Sequence, residues 1–253
     1  MSGRLQGSVA LVTGASSGIG AATGRALAAQ GAAVALVARR AHRLDELVKE
    51  IEASGGRALA IPCDITDRAG ATAAVRRTVD AFERLDIVVN NAGQMLLGEF
   101  AAAPAELADR MVGLNVTGLL NVSRAALPHL VEAAADGGRG VADLVNISSV
   151  AGRKAVAGGA VYALTKYGVV GLSEGLRQEL AGRQVRVTVV EPGAVATELA
   201  DHLAPEIRDR ILRGMEYEPM APADIAETIA FAVTRPRHVA VNEVLVRPTG
   251  QLL

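Results

Sequence analysis

Val9-Ala10-Leu11-Val12-Thr13-Gly14-Ala15-Ser16-Ser17-Gly18-Ile19-Gly20 is the stretch on which the fold turns. It opens with five mostly aliphatic residues that read as a buried strand. Glycines at a G-x-x-x-G-x-G spacing follow, and then an Ala/Leu-rich segment runs to Gln30. Glycine lets a backbone turn sharply and come close to a ligand, while the free N–H groups opening the next helix favour negative charge. In that order, strand, glycine turn and helix N-terminus make a cradle for a pyrophosphate. The same residues also suit a turn used only for strand-to-helix packing, so the rest of the chain has to decide.

Outward from this point the alternation repeats. Apolar runs at Val9–Thr13, Ala33–Ala38, Ala58–Cys63, Ile87–Asn90, Val141–Ile147, Val185–Val190 and Val244–Val246 predict seven strands. Longer segments near Ile19–Gln30, Arg43–Ser54, Arg68–Arg84, Ala105–Ala135, Ala160–Ala181 and Ala223–Val233 predict helices between them. The expectation is an α/β protein with one doubly wound domain over residues 1–253. Its seven-stranded parallel sheet is covered by helices on both faces, and a helical excursion at about 193–222 forms a lid.

Composition limits the function classes. The chain has 253 residues, a formal net charge of -1, no Trp, three Phe and three Tyr, and its basic residues are dispersed. A nucleic-acid groove would need clustered cations and stacking aromatics. Met1 to Gly7 lacks the organisation of a signal peptide, and no apolar run approaches the roughly 20 residues of a membrane span, so a cytoplasmic protein without membrane contact is expected. One cysteine, Cys63, and the scattered His42, His129 and His238 offer no metal cluster, and no metal is expected.

The residue ending the second predicted strand bears on the cofactor. A carboxylate there would take the ribose hydroxyls of a dinucleotide and repel a 2′-phosphate. This chain has Ala38-Arg39-Arg40, and the forked guanidinium of Arg39 suits a dianionic phosphate. NADP(H) is the predicted cofactor, with Arg39 the main phosphate ligand and Arg40 closer to a bystander. The alternative is two solvated arginines opening a helix.

Cys63-Asp64-Ile65-Thr66 and Asn90-Asn91-Ala92-Gly93 follow the third and fourth strands, at the carboxyl edge where such sheets bind ligands. Singly, each also reads as a turn or cap. Tyr162-Ala163-Leu164-Thr165-Lys166 puts a phenol and an amine on one helical face, a pairing that also occurs on solvated helices. Asn146-Ile147-Ser148-Ser149 ends the fifth strand and brings a hydroxyl thirteen residues before Tyr162.

These motifs, in this order, resemble the short-chain dehydrogenase/reductase family across roughly residues 7–250. The resemblance implies an NADP(H)-dependent oxidoreductase that reversibly reduces an aldehyde or ketone. Ser149, Tyr162, Lys166 and Asn115, within Met111–Gly118, would be its catalytic group, with Asn115 holding a water that links Lys166 to solvent. A free phenol with a pKa near 10 is a poor acid or base at pH 7, so Lys166 and the oxidised nicotinamide would favour the phenolate of Tyr162. The alternative for Asn115 is a packing residue at a helix kink.

The resemblance also assigns the cofactor contacts. Gly14, Ser16, Ser17, Gly18, Ile19 and Gly20 would meet the pyrophosphate, Arg39 and Arg40 the 2′-phosphate, and Asp64 and Ile65 the adenine. Asn91, Ala92 and Gly93, with Tyr162 and Lys166, would border the nicotinamide ribose. Pro192, Gly193, Val195 and Thr197 would lie around the nicotinamide.

Met95–Gly98, Ala125–Leu130, Thr197–Leu199 and Val246–Thr249 are similar to a bacterial branch holding clavulanic-aldehyde reductase and 3-hydroxy acid dehydrogenases, which implies secondary metabolism. The 200–222 segment departs from that branch. Met95, Leu96, Val150, Arg153, Lys154, Val156 and His202 are the candidate substrate wall, with Arg153 or Lys154 meeting a substrate carboxylate or simply solvated. The family resemblance further implies a homotetramer joined through the helices near 105–135 and 160–181. A 3-ketoacyl thioester reductase is the alternative within enzymes, and a noncatalytic NADP-binding sensor is the alternative outside them.

Overall fold

The computed structural model describes residues 3–136 and 138–252. Its centre is a seven-stranded sheet in the order β3-β2-β1-β4-β5-β6-β7. The strands are β1 Val9–Thr13, β2 Ala33–Ala38, β3 Arg57–Pro62, β4 Ile87–Asn90, β5 Ala142–Ile147, β6 Val185–Pro192 and β7 Glu243–Val246, and all pairings are parallel. Parallel strands need crossovers, which the helices supply. These are α1 Gly18–Ala29, α2 Ala41–Ala53, α3 Arg68–Phe82, α4 Ala105–Val112, α5 Leu119–Ala135, α6 Ala160–Leu180, α7 Pro205–Arg213 and α8 Pro222–Val233.

Because side chains alternate along a strand, the sheet feeds two cores. Ala10, Val12, Val34 and Leu36 pack with Leu27 of α1, Leu47 of α2 and Ile229 of α8. Val9, Leu11, Ala35 and Val37 pack on the opposite face with Val75 of α3, Val122 and Leu130 of α5 and Leu180 of α6. Both faces are therefore covered, which explains why the strands read as continuous apolar runs rather than as alternating ones.

The strand order reverses between β1 and β4, and ligands bind outside the carboxyl ends of the strands at such a switch point. The loops after Thr13, Asn90 and Ile147 meet there. Behind them, Asn90 Nδ2 donates to Ser123 Oγ and Asn146 Oδ1, both at 2.9 Å, and Asn146 Nδ2 donates to Ser173 Oγ at 2.8 Å. This buried polar chain ties β4, α5, β5 and α6 into one register.

Two expectations are corrected. β3 starts at Arg57 and β6 continues to Pro192, each beyond its predicted run. The single helix expected over 105–135 is split by a π-helical turn at Gly113–Gly118. The excursion at 193–222 is a 3₁₀ turn at Glu198–His202 followed by α7, with its base closed by a parallel bridge between Val195 and Met220.

Candidate active site

The glycine turn is shaped by close approach. Gly14 has φ +65°, and a Cβ there would stand 2.8 Å from both Ala92 Cα and Asn91 Nδ2. At Gly20 a Cβ would come within 2.3 Å of Gly14 O and 2.5 Å of Asn91 Nδ2. Neither position has room for a side chain, so the backbone of the turn stays bare. Thr13 locks the arrangement: its Oγ1 accepts from Asn91 N at 3.0 Å and Ala92 N at 3.1 Å, while Asn91 Nδ2 donates to Thr13 O at 2.9 Å. The loop after β4, with Asn91, Ala92 and Gly93, is thereby moored beside the turn holding Ser16 to Gly20. Asp64, on the neighbouring loop, accepts from Thr66 N and Thr66 Oγ1 at 3.0 and 2.8 Å, and Ile65 is buried.

At the end of β2 the two arginines are held differently. Arg39 is exposed, with its charge felt at Asp64. Arg40 turns into the site: its Nε meets Ser16 Oγ at 3.1 Å, one terminal nitrogen meets Ser17 Oγ at 2.7 Å, and the other meets Glu198 at 2.8 Å. Arg43 reaches the second oxygen of Glu198 at 2.8 Å. The Arg40 guanidinium, with Ser17 and Arg43 behind it, holds the Glu198 carboxyl below its ordinary range. The description of Arg40 as a bystander is therefore a correction. One residue of helix lead-in turns its side chain toward the glycine turn, and run composition does not show that.

Ser149, Tyr162 and Lys166 come together at the carboxyl end of β5. All three are buried, with 8%, 8% and 6% of their surface exposed. Ser149 hydrogen-bonds the phenol of Tyr162 and caps the short turn Val150–Gly152 by accepting from Ala151 N. Lys166 Nζ lies 5.7 Å from the centre of the Tyr162 ring and donates to Ile147 O at 2.9 Å, while Ser148 Oγ donates to Lys166 O. Burial pushes the Tyr162 phenol above its ordinary value, against the hydrogen bond from Ser149, and pushes the Lys166 amine down to about 8. The Lys166 ammonium is directed to the Ile147 carbonyl beside the Tyr162 ring, and burial outweighs the Ser149 hydrogen bond in setting the phenol.

Asn115 sits in the π-helical turn and is 2% exposed. Its Oδ1 accepts from Gln94 N at 2.8 Å, and its Nδ2 donates to Gln94 O at 2.9 Å and Thr165 Oγ1 at 3.1 Å. It thus clamps the loop beyond Gly93 to α6. A Cβ on Gly93 would lie 3.3 Å from Asn115 Oδ1 and 3.7 Å from Lys166 Nζ. Helical π-turns gather at functional sites because they release backbone groups from the regular ladder.

Met95 and Leu96 meet Tyr162 in a small apolar cluster with Met111. A cavity of about 200 Å³ opens beside it, lined by Leu97, Phe100, Leu107 and Val161 among others. A larger hollow of about 800 Å³ lies between Tyr217–Pro222 and Arg247–Gly250, and none of Ser149, Tyr162 and Lys166 lines either hollow. Val150 begins the short turn after Ser149, while Lys154, Val156 and His202 are exposed. Arg153 is paired: its Nε contacts both oxygens of Glu191 at 2.8 Å and a terminal nitrogen contacts Glu243, while its side chain stays 41% exposed. Glu191 has no exposed surface, and a buried carboxylate needs a paired cation. Pro192 ends β6, Gly193 N donates to Val246 O at 2.7 Å, and Val195 and Thr197 lead into the excursion, where Thr197 Oγ1 accepts from Leu199 N.

Arg43 was not singled out in the sequence, and Thr13, Gln94 and Glu198 lie in or beside stretches that were, without the contacts described here being expected of them. Glu198 is 158 residues from Arg40, and no local pattern signals the pair. Among the described residues, no group of three or more His, Cys, Asp or Glu is placed to hold a metal, and no helix is long and apolar enough to cross a membrane.

Comparison with known proteins agrees with this geometry. The model of the short chain dehydrogenase family matches residues 8–208. The chain is 38% identical over 250 residues to the glycine betaine reductase ATRR of Emericella nidulans, covering 98% of this chain and 19% of that much longer protein. A short chain dehydrogenase from Burkholderia cenocepacia, solved in complex with NADP, superposes with a TM-score of 0.85 at 34% identity over 96% of this chain and 98% of that one. A 3-ketoacyl-(acyl-carrier-protein) reductase from Brucella melitensis, complexed with NADH, superposes at 0.84 with 32% identity over 96% and 98% of the two chains.

Proposed function

This chain belongs to the short-chain dehydrogenase family, and from that premise we propose that it is an NADP(H)-dependent carbonyl reductase working through Tyr162. The observation that carries the reading is the buried Ser149–Tyr162–Lys166 group at the sheet's switch point, beside a glycine turn with no room for side chains. The residues fit the cofactor. Gly14 to Gly20 offer bare backbone to a pyrophosphate, β2 ends in Ala38 where a carboxylate would select NADH, and Arg39, Arg40 and Arg43 supply cations for a 2′-phosphate. NADP in the Burkholderia relative supports this choice. Bound there, the cofactor supplies or accepts the hydride.

The chain's own residues manage the proton. Below its raised pKa Tyr162 is a neutral phenol, so at pH 7 it holds the proton that a carbonyl oxygen takes up on reduction. Ser149 orients that oxygen and the phenol together. Lys166 positions the loop through Ile147 O and supplies a charge against which phenolate forms, while Asn115 fixes the floor through Gln94. Met95 and Leu96, packed against Tyr162, favour a medium-sized apolar aldehyde or ketone. The excursion at 193–222 acts as the lid, and the enzyme works in the cytoplasm.

A 3-ketoacyl thioester reductase is the second reading, favoured by the Brucella neighbour. The test follows NADPH and NADH consumption over aldehydes, ketones, keto acids and ketoacyl thioesters, with Tyr162→Phe in parallel. The expected outcome is NADPH-preferring turnover that falls by at least about 100-fold in the variant. Equal efficiency with NADH would remove the cofactor choice, and an unimpaired variant would remove the mechanism.

A further inference from the structure

Away from the tyrosine centre, one charged cluster joins parts of the chain distant in sequence. Glu198 divides its carboxylate between two guanidiniums, with Oε2 on Arg40 and Oε1 on Arg43, each at 2.8 Å. Arg40 spends its other donors on Ser16 Oγ and Ser17 Oγ. Two cations and two hydroxyls on one rim of the glycine turn form an anion site, and its present anion is the chain's own carboxylate.

Glu198 is also placed to act on the excursion. Just before it the chain is pinned: Ala196 N donates to Met220 O at 2.9 Å, Met220 N donates to Ala194 O at 3.0 Å, and Thr197 Cγ2 lies 3.0 Å from where a Cβ of Gly18 would stand. Directly after it come the 3₁₀ turn Glu198–His202 and α7. The Glu198 contacts therefore hold the first turn beyond a fixed base against the glycine loop.

We propose that Glu198 is a carboxylate latch on the 2′-phosphate site: the phosphate of NADP(H) displaces it from Arg40 and Arg43, frees residues 198–202 from the glycine turn, and so couples entry of a phosphorylated cofactor to movement of the lid. The inference rests on the NADP(H) reading above. A phosphate dianion carries more charge than a carboxylate and offers three oxygens to guanidinium forks, so it wins the competition. NADH, with a hydroxyl in that position, leaves the latch shut. Glu198 thereby sets the cofactor preference as well as the lid position.

Calorimetric titration of wild type and Glu198→Gln with NADPH, NADH and 2′,5′-ADP tests this. Removing the internal competitor tightens NADPH and 2′,5′-ADP by about three- to tenfold, the size expected of two exposed ion pairs, and changes NADH by less than about twofold. Hydrogen exchange supplies a second readout: 2′,5′-ADP speeds exchange over 198–213 in wild type, and the variant shows that faster exchange without ligand. An unchanged or weaker NADPH affinity in the variant overturns the latch, as does an equal gain for NADH. The cofactor reading is judged separately by the wild-type NADPH to NADH ratio. A wild type that prefers NADH defeats that reading, while the shift of the ratio in Glu198→Gln still decides the latch.

Discussion

Lys166 shows how a single residue trades stability for chemistry. Its amine falls from 10.5 to about 8 because it is buried. For a base with a depressed folded value, the favourable state exists above pH 10.5 and is lost as pH falls through about 8. At pH 7 the buried ammonium therefore costs about 3 kcal/mol, partly offset by its hydrogen bond to Ile147 O. Lys166→Met is expected to raise the melting temperature at pH 7 by a few degrees, to lose that advantage near pH 10.5, and to be inactive. Melting curves at the two pH values check it, and a lower melting temperature at pH 7 would contradict the cost. Tyr162 behaves in the opposite sense. Its raised value keeps it protonated through neutrality, so carbonyl reduction should hold steady through pH 7 and alcohol oxidation should climb with pH. Initial rates in both directions from pH 6 to 10 check the pair of profiles. The residue types of this centre are legible in the sequence because Tyr162 and Lys166 lie four apart and Ser149 follows a strand. Their protonation is not legible, since it depends on burial and on the Ile147 carbonyl.

Among the elements, the join of β1 to α1 is the most tightly constrained. A methyl group on Gly20 would meet Gly14 O at 2.3 Å, which is backbone and has little freedom to give. Gly20→Ala is expected to cost roughly 1–3 kcal/mol, lower the melting temperature by several degrees and weaken dinucleotide binding at least tenfold. Calorimetry of folding and of cofactor binding checks both effects, and normal binding would show that the close approach is unimportant. Element existence was readable here from short continuous apolar runs alternating with longer helical segments, whereas two details were not. The split of the 105–135 segment depends on Asn115 clamping Gln94 and Thr165, contacts set by other elements. The course of 193–222 depends on the Val195–Met220 bridge and on Glu198 meeting Arg40, neither of which leaves a local pattern. The pairing of Arg153 was not legible for a similar reason: its partners Glu191 and Glu243 lie on β6 and β7.

For the whole molecule, the parallel sheet with two covered faces places the chemistry at one edge and leaves helices α4 to α6 facing outward. Val112, Leu120, Leu164 and Tyr167 on those helices are exposed by 37 to 65%, which is apolar surface that association would cover. The family resemblance implies a tetramer joined through them, and we propose that state. Light scattering should give four times the chain mass, and Leu164→Arg should reduce it; a monomeric wild type would contradict this. The fold was legible because seven apolar runs and their intervening helices leave few alternatives, but the substrate was not, because the wall around Tyr162 is assembled from separate loops. The most direct test of the central claim is hydride transfer itself. NADPH deuterated on the transferring face is mixed in single turnover with a carbonyl substrate from the panel, using wild type and Tyr162→Phe. The prediction is deuterium on the carbinol carbon of the product with wild type, and retained NADPH binding with little or no labelled product from the variant. Label transfer at the wild-type rate by Tyr162→Phe, or none by wild type with any carbonyl tested, would contradict it.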